Sequence, residues 1–174
     1  MLARVRSATV FGMEADDVSV EVDVAPGLPS FTTVGLPDSA VRESRDRSAI
    51  RTAGLELPMD PITVNLAPAE VRKVGTAFDL PMALGILTAT ETLKPERLEH
   101  VVALGELSLD GRVQPVRGVL PIALHCRRRG VPRPLVPAGN AEVEEFGFPT
   151  LQVRQLTPQG ARRASGPRRH GRQA

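Results

Sequence analysis

The stretch DVSVEVDVAPG, from Asp17 to Gly27, constrains the fold more than any other part of the chain. Val18, Val20, Val22 and Val24 alternate with polar residues, and a period of two puts all four on one face of a strand that must be buried against a second layer. ARVRSATVFG, just upstream, alternates in the same way, so the two runs are expected to pair antiparallel. PGLPSFTTVGLPD supplies a short third strand, Phe31 to Val34, closed by Gly35, and ITVNL forms a fourth after Pro58 and Pro61.

Helical signals are interleaved with these strands. Asp38 is the expected N-cap of a helix that carries Ala40, Val41, Ser44, Ala49, Ile50 and Ala53 on one side and ends at Gly54. Its other face alternates in charge from Arg42 to Arg51, the pattern of a solvated, salt-bridged surface. In RKVGTAFDLPMALG, Gly75 sets a tight turn and Asp79 is expected to cap a helix through Leu80, Met82, Ala83, Leu84, Ile86 and Leu87. Pro81 is tolerated in its first turn, where a missing N–H removes no helical bond. HVVALGELSLDGRVQPV reads as two strands joined by a two-residue turn at Asp110-Gly111. A helix from Val119 to Arg129, a buried strand in RPLVP, a short helix from Ala141 to Phe146 and a strand at Leu151 to Val153 complete the pattern. Strands first, then helix and strand in alternation, imply a two-layer α+β domain with a mixed sheet packed against helices.

The charge is unevenly placed. The chain of 174 residues has 22 basic and 20 acidic residues, but six of the arginines and none of the acids fall after Val153. Residues 154–174, rich in Gly, Pro and Arg, bury too little to offset their ordering entropy, so the expected division is a domain over 1–153 and a disordered arginine-rich tail over 154–174. The candidate nucleic-acid contacts are Arg127, Arg128 and Arg129, at the end of a helix, and Arg162, Arg163, Arg168 and Arg169 in the tail. A solvated helix end and a solvated tail are the plainer readings of the same arginines. With no Trp or Tyr and five Phe, the chain offers little for base stacking.

Several chemistries are excluded or disfavoured on sequence grounds. The single Cys126 allows neither an internal disulfide nor a cysteine metal cage, and His100, His125 and His170 lack ligand spacing. No run approaches the roughly 20 apolar residues of a membrane helix, which with the lone cysteine fits a cytoplasmic protein without membrane partners. The P-loop pattern G-x-x-x-x-G-K-[ST] is missing, the only lysines being Lys73 and Lys94, and G-x-G-x-x-G is also missing. Neither ATP nor NAD is therefore expected as a cofactor, and no catalytic or metal-binding residue is assigned. Asp38, Asp79 and Asp110 read as caps and turns.

Three segments nevertheless resemble a known catalytic scaffold. KVGTAFD is similar to the K-D-G-P-S-A-G loop of Lon-type proteases, LGELSLDGRVQPVRGVLP to their G-E-[IL]-[TS]-L-x-G-x-V-x-P-[IV]-G-G-L-K segment, and LVPAGN to L-[IV]-P-x-x-N. The resemblance implies that the serine nucleophile would fall on Ala77 and its lysine base on Leu120. Alanine has no nucleophile and leucine cannot take a proton. Thr76 offers the nearest hydroxyl, and a weak hydrolase working from Thr76 is the alternative reading.

A closer resemblance covers residues 1 to about 140. VEVDVAPGLPSFTTVGLPDSAVRESRDR, ITVNLAPAEVRKVGTAFDLPMALGIL, LGELSLDGRVQPVRGVLPIAL and LVPAGNA resemble the N-terminal domain of magnesium-chelatase-like AAA+ proteins of the ComM/YifB type. That resemblance implies a fold like the second domain of a small-subunit ribosomal protein, shared with Lon. It also implies a non-catalytic role beside an ATPase module that binds ATP and magnesium, assembly into a hexameric ring, and work on DNA branch migration during natural transformation. The module would begin soon after position 160, where the arginine-rich segment stands instead, so a fragment or truncated product is expected in preference to a free-standing domain.

Overall fold

The computed structural model describes residues 1–35, 50–73, 76–131 and 133–157. Asp38 and most of the helix expected after it, Gly75, and Arg162, Arg163, Arg168 and Arg169 lie outside the described residues. The end of that helix is described: residues 50–52 are helical, Gly54 adopts φ 74°, and the Leu55 N–H returns to the Ile50 carbonyl at 3.2 Å. That geometry is the left-handed glycine termination expected there.

The two alternating runs form β1, Leu2–Phe11, and β2, Glu14–Val24, paired antiparallel from Leu2↔Asp23 to Phe11↔Glu14. Two residues join them, Gly12 taking φ 67° at the first turn position, which suits a tight hairpin. β3, Phe31–Val34, lies parallel to β4, Ile62–Ala67, and β4 runs antiparallel to β2, giving the mixed order β1-β2-β4-β3. Val18, Val20 and Val22 are all buried, as the alternation requires.

The helix α1, Asp79–Ala89, packs on the valine face of β1 and β2, and every one of its residues is buried. A helix apolar all round belongs in a core, and this one is its centre. Gly85 sets the approach: a Cβ there would sit 2.5 Å from Val22 Cγ2. Asp79 is not the N-cap. Phe78 occupies that position without a side-chain cap bond, the Leu80 N–H reaches the Gly105 carbonyl at 2.9 Å, and Asp79 Oδ2 accepts the Leu107 N–H at 3.0 Å. The carboxylate therefore ties the helix to the next strand, where a loop peptide would otherwise lack a partner.

That strand is β5, Glu106–Leu107, paired antiparallel with β6, Val113–Gln114. Their connection is longer than the two-residue turn expected: Ser108 N–H bonds the Arg112 carbonyl, Gly111 N–H bonds the Ser108 carbonyl, and Gly111 takes φ 80°. Leu109 to Gly111 thus form a three-residue loop with glycine in the left-handed position, and Asp110 steadies it by accepting the Arg112 N–H at 3.1 Å. The second helix, α2, Val119–Arg128, covers the opposite face of the β1–β2 ribbon, burying Val119, Ile122, Ala123 and Cys126. β7, Leu135–Pro137, pairs parallel with β8, Leu151–Val153, and a 3-10 segment, Ala138–Phe146, lies between them in place of the shorter α-helix expected. Single bridges Arg6↔Val102 and Ala103↔Leu135 connect β1 to β7 through the segment before β5.

The body does not stop at Val153. Val113 N–H donates to the Arg154 carbonyl, Leu156 N–H to the Gly111 carbonyl, and Leu156 is buried in the main core. Expected as the start of the tail, residues 154–156 instead lie along β6. One apolar anchor holds them in a stretch whose average composition is polar.

Candidate functional site

A cleft of about 670 Å³ opens beside the tip of the β1–β2 hairpin. Thr9, Val10 and Gly12 form one wall, Thr76, Ala77 and Glu106 a second, and Val116, Arg117, Gly118 and Pro121 a third. The fold brings these distant segments together for local reasons. The turn before α1 delivers Thr76 and Ala77, since Asp79 N–H bonds the Thr76 carbonyl and Gly105 N–H bonds the Ala77 carbonyl at 2.9 Å. Asn140 holds the third wall by pairing both polar groups of its amide with the Val116 backbone at 2.9 Å. Gly118 permits close passage, a Cβ there lying 2.9 Å from Val10 Cγ2.

Ala77 is at the cleft surface, where the Lon resemblance would put a nucleophile. Leu120, the matched base position, is on the first turn of α2, 37 % exposed, and does not line the cleft. Lys73 is close in sequence, but it is buried and its Nζ donates to the Pro68 carbonyl. Thr76 does have a partner that sequence spacing did not reveal: its hydroxyl donates to Glu106 Oε2. The two residues are 30 positions apart and meet because β5 docks on the start of α1. The GEL triplet that carries Glu106 was the available signal.

The arginine triplet is only partly free. Arg129 Nη2 pairs with Asp17 Oδ2 at 3.0 Å, and the Arg127 guanidinium stacks 4.5 Å from the Phe148 ring centroid. Arg128 is exposed. His125 Nε2 lies 3.0 Å from Asp17 Oδ1, so Asp17 fastens the end of α2 from two directions. Burial acts to raise the Asp17 pKa, but the His125 hydrogen bond and charge together with Arg129 outweigh it, and the net shift is downward. Burial, with the Asp17 charge, pushes the Cys126 thiol up to about 11, which keeps it neutral and unreactive. Among the described residues, no three His, Cys, Asp or Glu side chains group together, and no helix is long and apolar enough to cross a membrane.

Residues 20–140 match the family described as subunit ChlI of Mg-chelatase. The chain belongs to that ChlI family. Within it, the chain is similar to the competence protein ComM of Haemophilus influenzae, 43% identical over 129 residues that cover 73% of this chain and 25% of ComM. It is similar to the YifB protein of Escherichia coli K12, 39% identical over 145 residues, 82% of this chain and 28% of YifB. A Lon protease of Bacillus thuringiensis is 29% identical over 134 residues, 72% of this chain and 17% of that protease. The chain thus spans about 28% of the length of YifB. The ComM and YifB resemblance and the Lon-like α+β fold read in the sequence both stand.

Proposed function

We propose that this chain is the non-catalytic N-terminal domain of a magnesium-chelatase-like AAA+ ATPase that processes DNA during natural transformation. It contributes DNA contact or ring assembly, and its residues bind neither ATP nor magnesium. The observation that carries the reading is the cleft with Ala77 on its wall and Leu120 outside it. A cytoplasmic location and a homo-oligomeric ring belong to the same reading. Support for the DNA part comes from similarity to a protein called a competence protein, together with the exposed Arg128 and the tail arginines.

A gel shift with linear and branched DNA at low and moderate salt tests this reading. The full chain is compared with a chain ending at Thr157 and with Arg128→Glu. Binding that weakens with salt and falls in either variant agrees with arginine–phosphate contact. No shift at low salt contradicts a DNA-contact role.

One observation favours a second reading. The Thr76 hydroxyl bonded to the Glu106 carboxylate is a nucleophile beside a proton acceptor, the minimum arrangement for a weak hydrolase. Peptide hydrolysis lost in Thr76→Ala would select this reading over the first.

A further inference from the structure

β1 keeps an open edge at its N-terminal end, the end away from the cleft. Met1 and Val24 exchange backbone bonds in both directions, the Met1 amino group donating to the Val24 carbonyl and the Val24 N–H to the Met1 carbonyl at 3.2 Å. Successive residues of a strand turn their backbone groups to opposite edges, so Met1 and Ala3 face β2 while Leu2, Arg4 and Arg6 face outward. Arg6 is taken: its carbonyl accepts the Ala103 N–H at 2.9 Å, in the bridge to Val102. Leu2 and Arg4 have no backbone partner on that edge among the described residues. Beside them run two adjoining grooves of about 460 and 430 Å³, which share Thr88, Pro95 and Glu96.

An edge of two outward residues suits a strand that offers the same two. We infer that this edge is a two-fold interface, occupied by β1 of a second copy of the chain. With the strands antiparallel about Ala3, Leu2 of each copy lies opposite Arg4 of the other, and each such pair exchanges N–H···O bonds in both directions. The register ends there, because the next outward residue, Arg6, already holds the segment before β5. The charges fit the same partner. Arg4 and Arg6 line the strand side of the groove, Glu96 and Glu99 line its other side, and Arg6, Glu96 and Glu99 make no ion pair among the described residues. A surface that carries both signs is complementary to its own two-fold copy. In this register Arg6 lies just beyond Met1 of the second copy, where Glu96 lines the groove beside Met1. Leu2, 53 % exposed in the single chain, loses contact with water on pairing. One sheet then runs through both copies, in the order β3-β4-β2-β1 and back again. An isologous contact of this kind closes at two copies and differs from the head-to-tail contacts that build a ring.

The test is sedimentation equilibrium of the full chain from roughly 10 µM to 1 mM. A pairing this small belongs with the weak interfaces, so a monomer–dimer equilibrium with a dissociation constant on the order of 100 µM is expected. Leu2→Pro removes an outward donor at the first residue of an edge strand, where proline is tolerated, and should weaken the dimer about tenfold. Glu96→Arg should weaken it by a similar factor, and adding Arg6→Glu to that variant should restore it. Leu2 and Glu96 are exposed, so both single variants are expected to keep the fold. A chain that stays monomeric to roughly 1 mM would overturn the inference and leave the edge to a different segment or to water. So would a dimer indifferent to Leu2→Pro, or a charge swap that associates no better than Glu96→Arg alone. Assembly that continues past the dimer and ignores Leu2→Pro would also overturn it, while agreeing with the ring.

Discussion

Asp79 is wholly buried, and its Oδ2 is the partner of the Leu107 N–H. Asp79→Ala strands that donor between α1 and β5, with an expected loss of about 1–3 kcal/mol in denaturant unfolding. It should also loosen the wall that holds Glu106 against Thr76. Gly85→Ala is expected to cost a similar amount for a steric reason, because the new Cβ must displace Val22 and the packed core has little room to relax. Its thermal midpoint should fall by roughly 2–4 °C per kcal/mol lost. Cys126 provides a chemical probe of the fold. With its pKa moved from 9.0 to about 11, the thiolate is about a hundredfold scarcer than in an open peptide. Alkylation should therefore be slow in the native protein and rise to the ordinary rate on unfolding, and ordinary-rate labelling of the folded chain would contradict its burial.

At the scale of elements, α2 is held by packing along its length and by Asp17 near its C-terminal end. The Asp17 pKa is lowered on folding, so its contribution is present above the unfolded value near 3.8 and is lost as pH falls through the lower folded value. Asp17→Asn should then destabilise slightly at pH 7, by at most about 1 kcal/mol for a pair this exposed, and the difference should vanish in strong acid. Equal destabilisation on both sides of pH 3.8 would assign the effect to packing instead. The same elements show what was legible beforehand. The valines of β2 announced a strand with one buried face because the period of two is a local signal. The apolar run marks α1 to within one residue, but the cap reading of Asp79 fails: Phe78 holds that position, and the carboxylate's partner is the Leu107 N–H of a later strand. Asp110-Gly111 marked the right hairpin with the wrong loop length: only the hydrogen bonds from Ser108 and Gly111 reveal the third residue.

For the whole molecule, the fold was readable where local pattern and family resemblance agreed, and less so where long-range contacts decide. Nothing near Thr76 in sequence predicts that Glu106 will accept its hydrogen bond, nor does the polar composition after Val153 reveal that Leu156 enters the core. The cleft itself joins four segments far apart in the chain. Together these features describe a Lon-like scaffold whose walls persist around a position that can no longer act as a nucleophile. The most direct test is hydrolysis of casein and a fluorogenic peptide by the purified chain, alongside Thr76→Ala and Glu106→Gln. The account predicts no cleavage above the Thr76→Ala background in any sample. Turnover by the unmodified chain that disappears in both variants would contradict it and assign a working hydroxyl–carboxylate pair to the cleft.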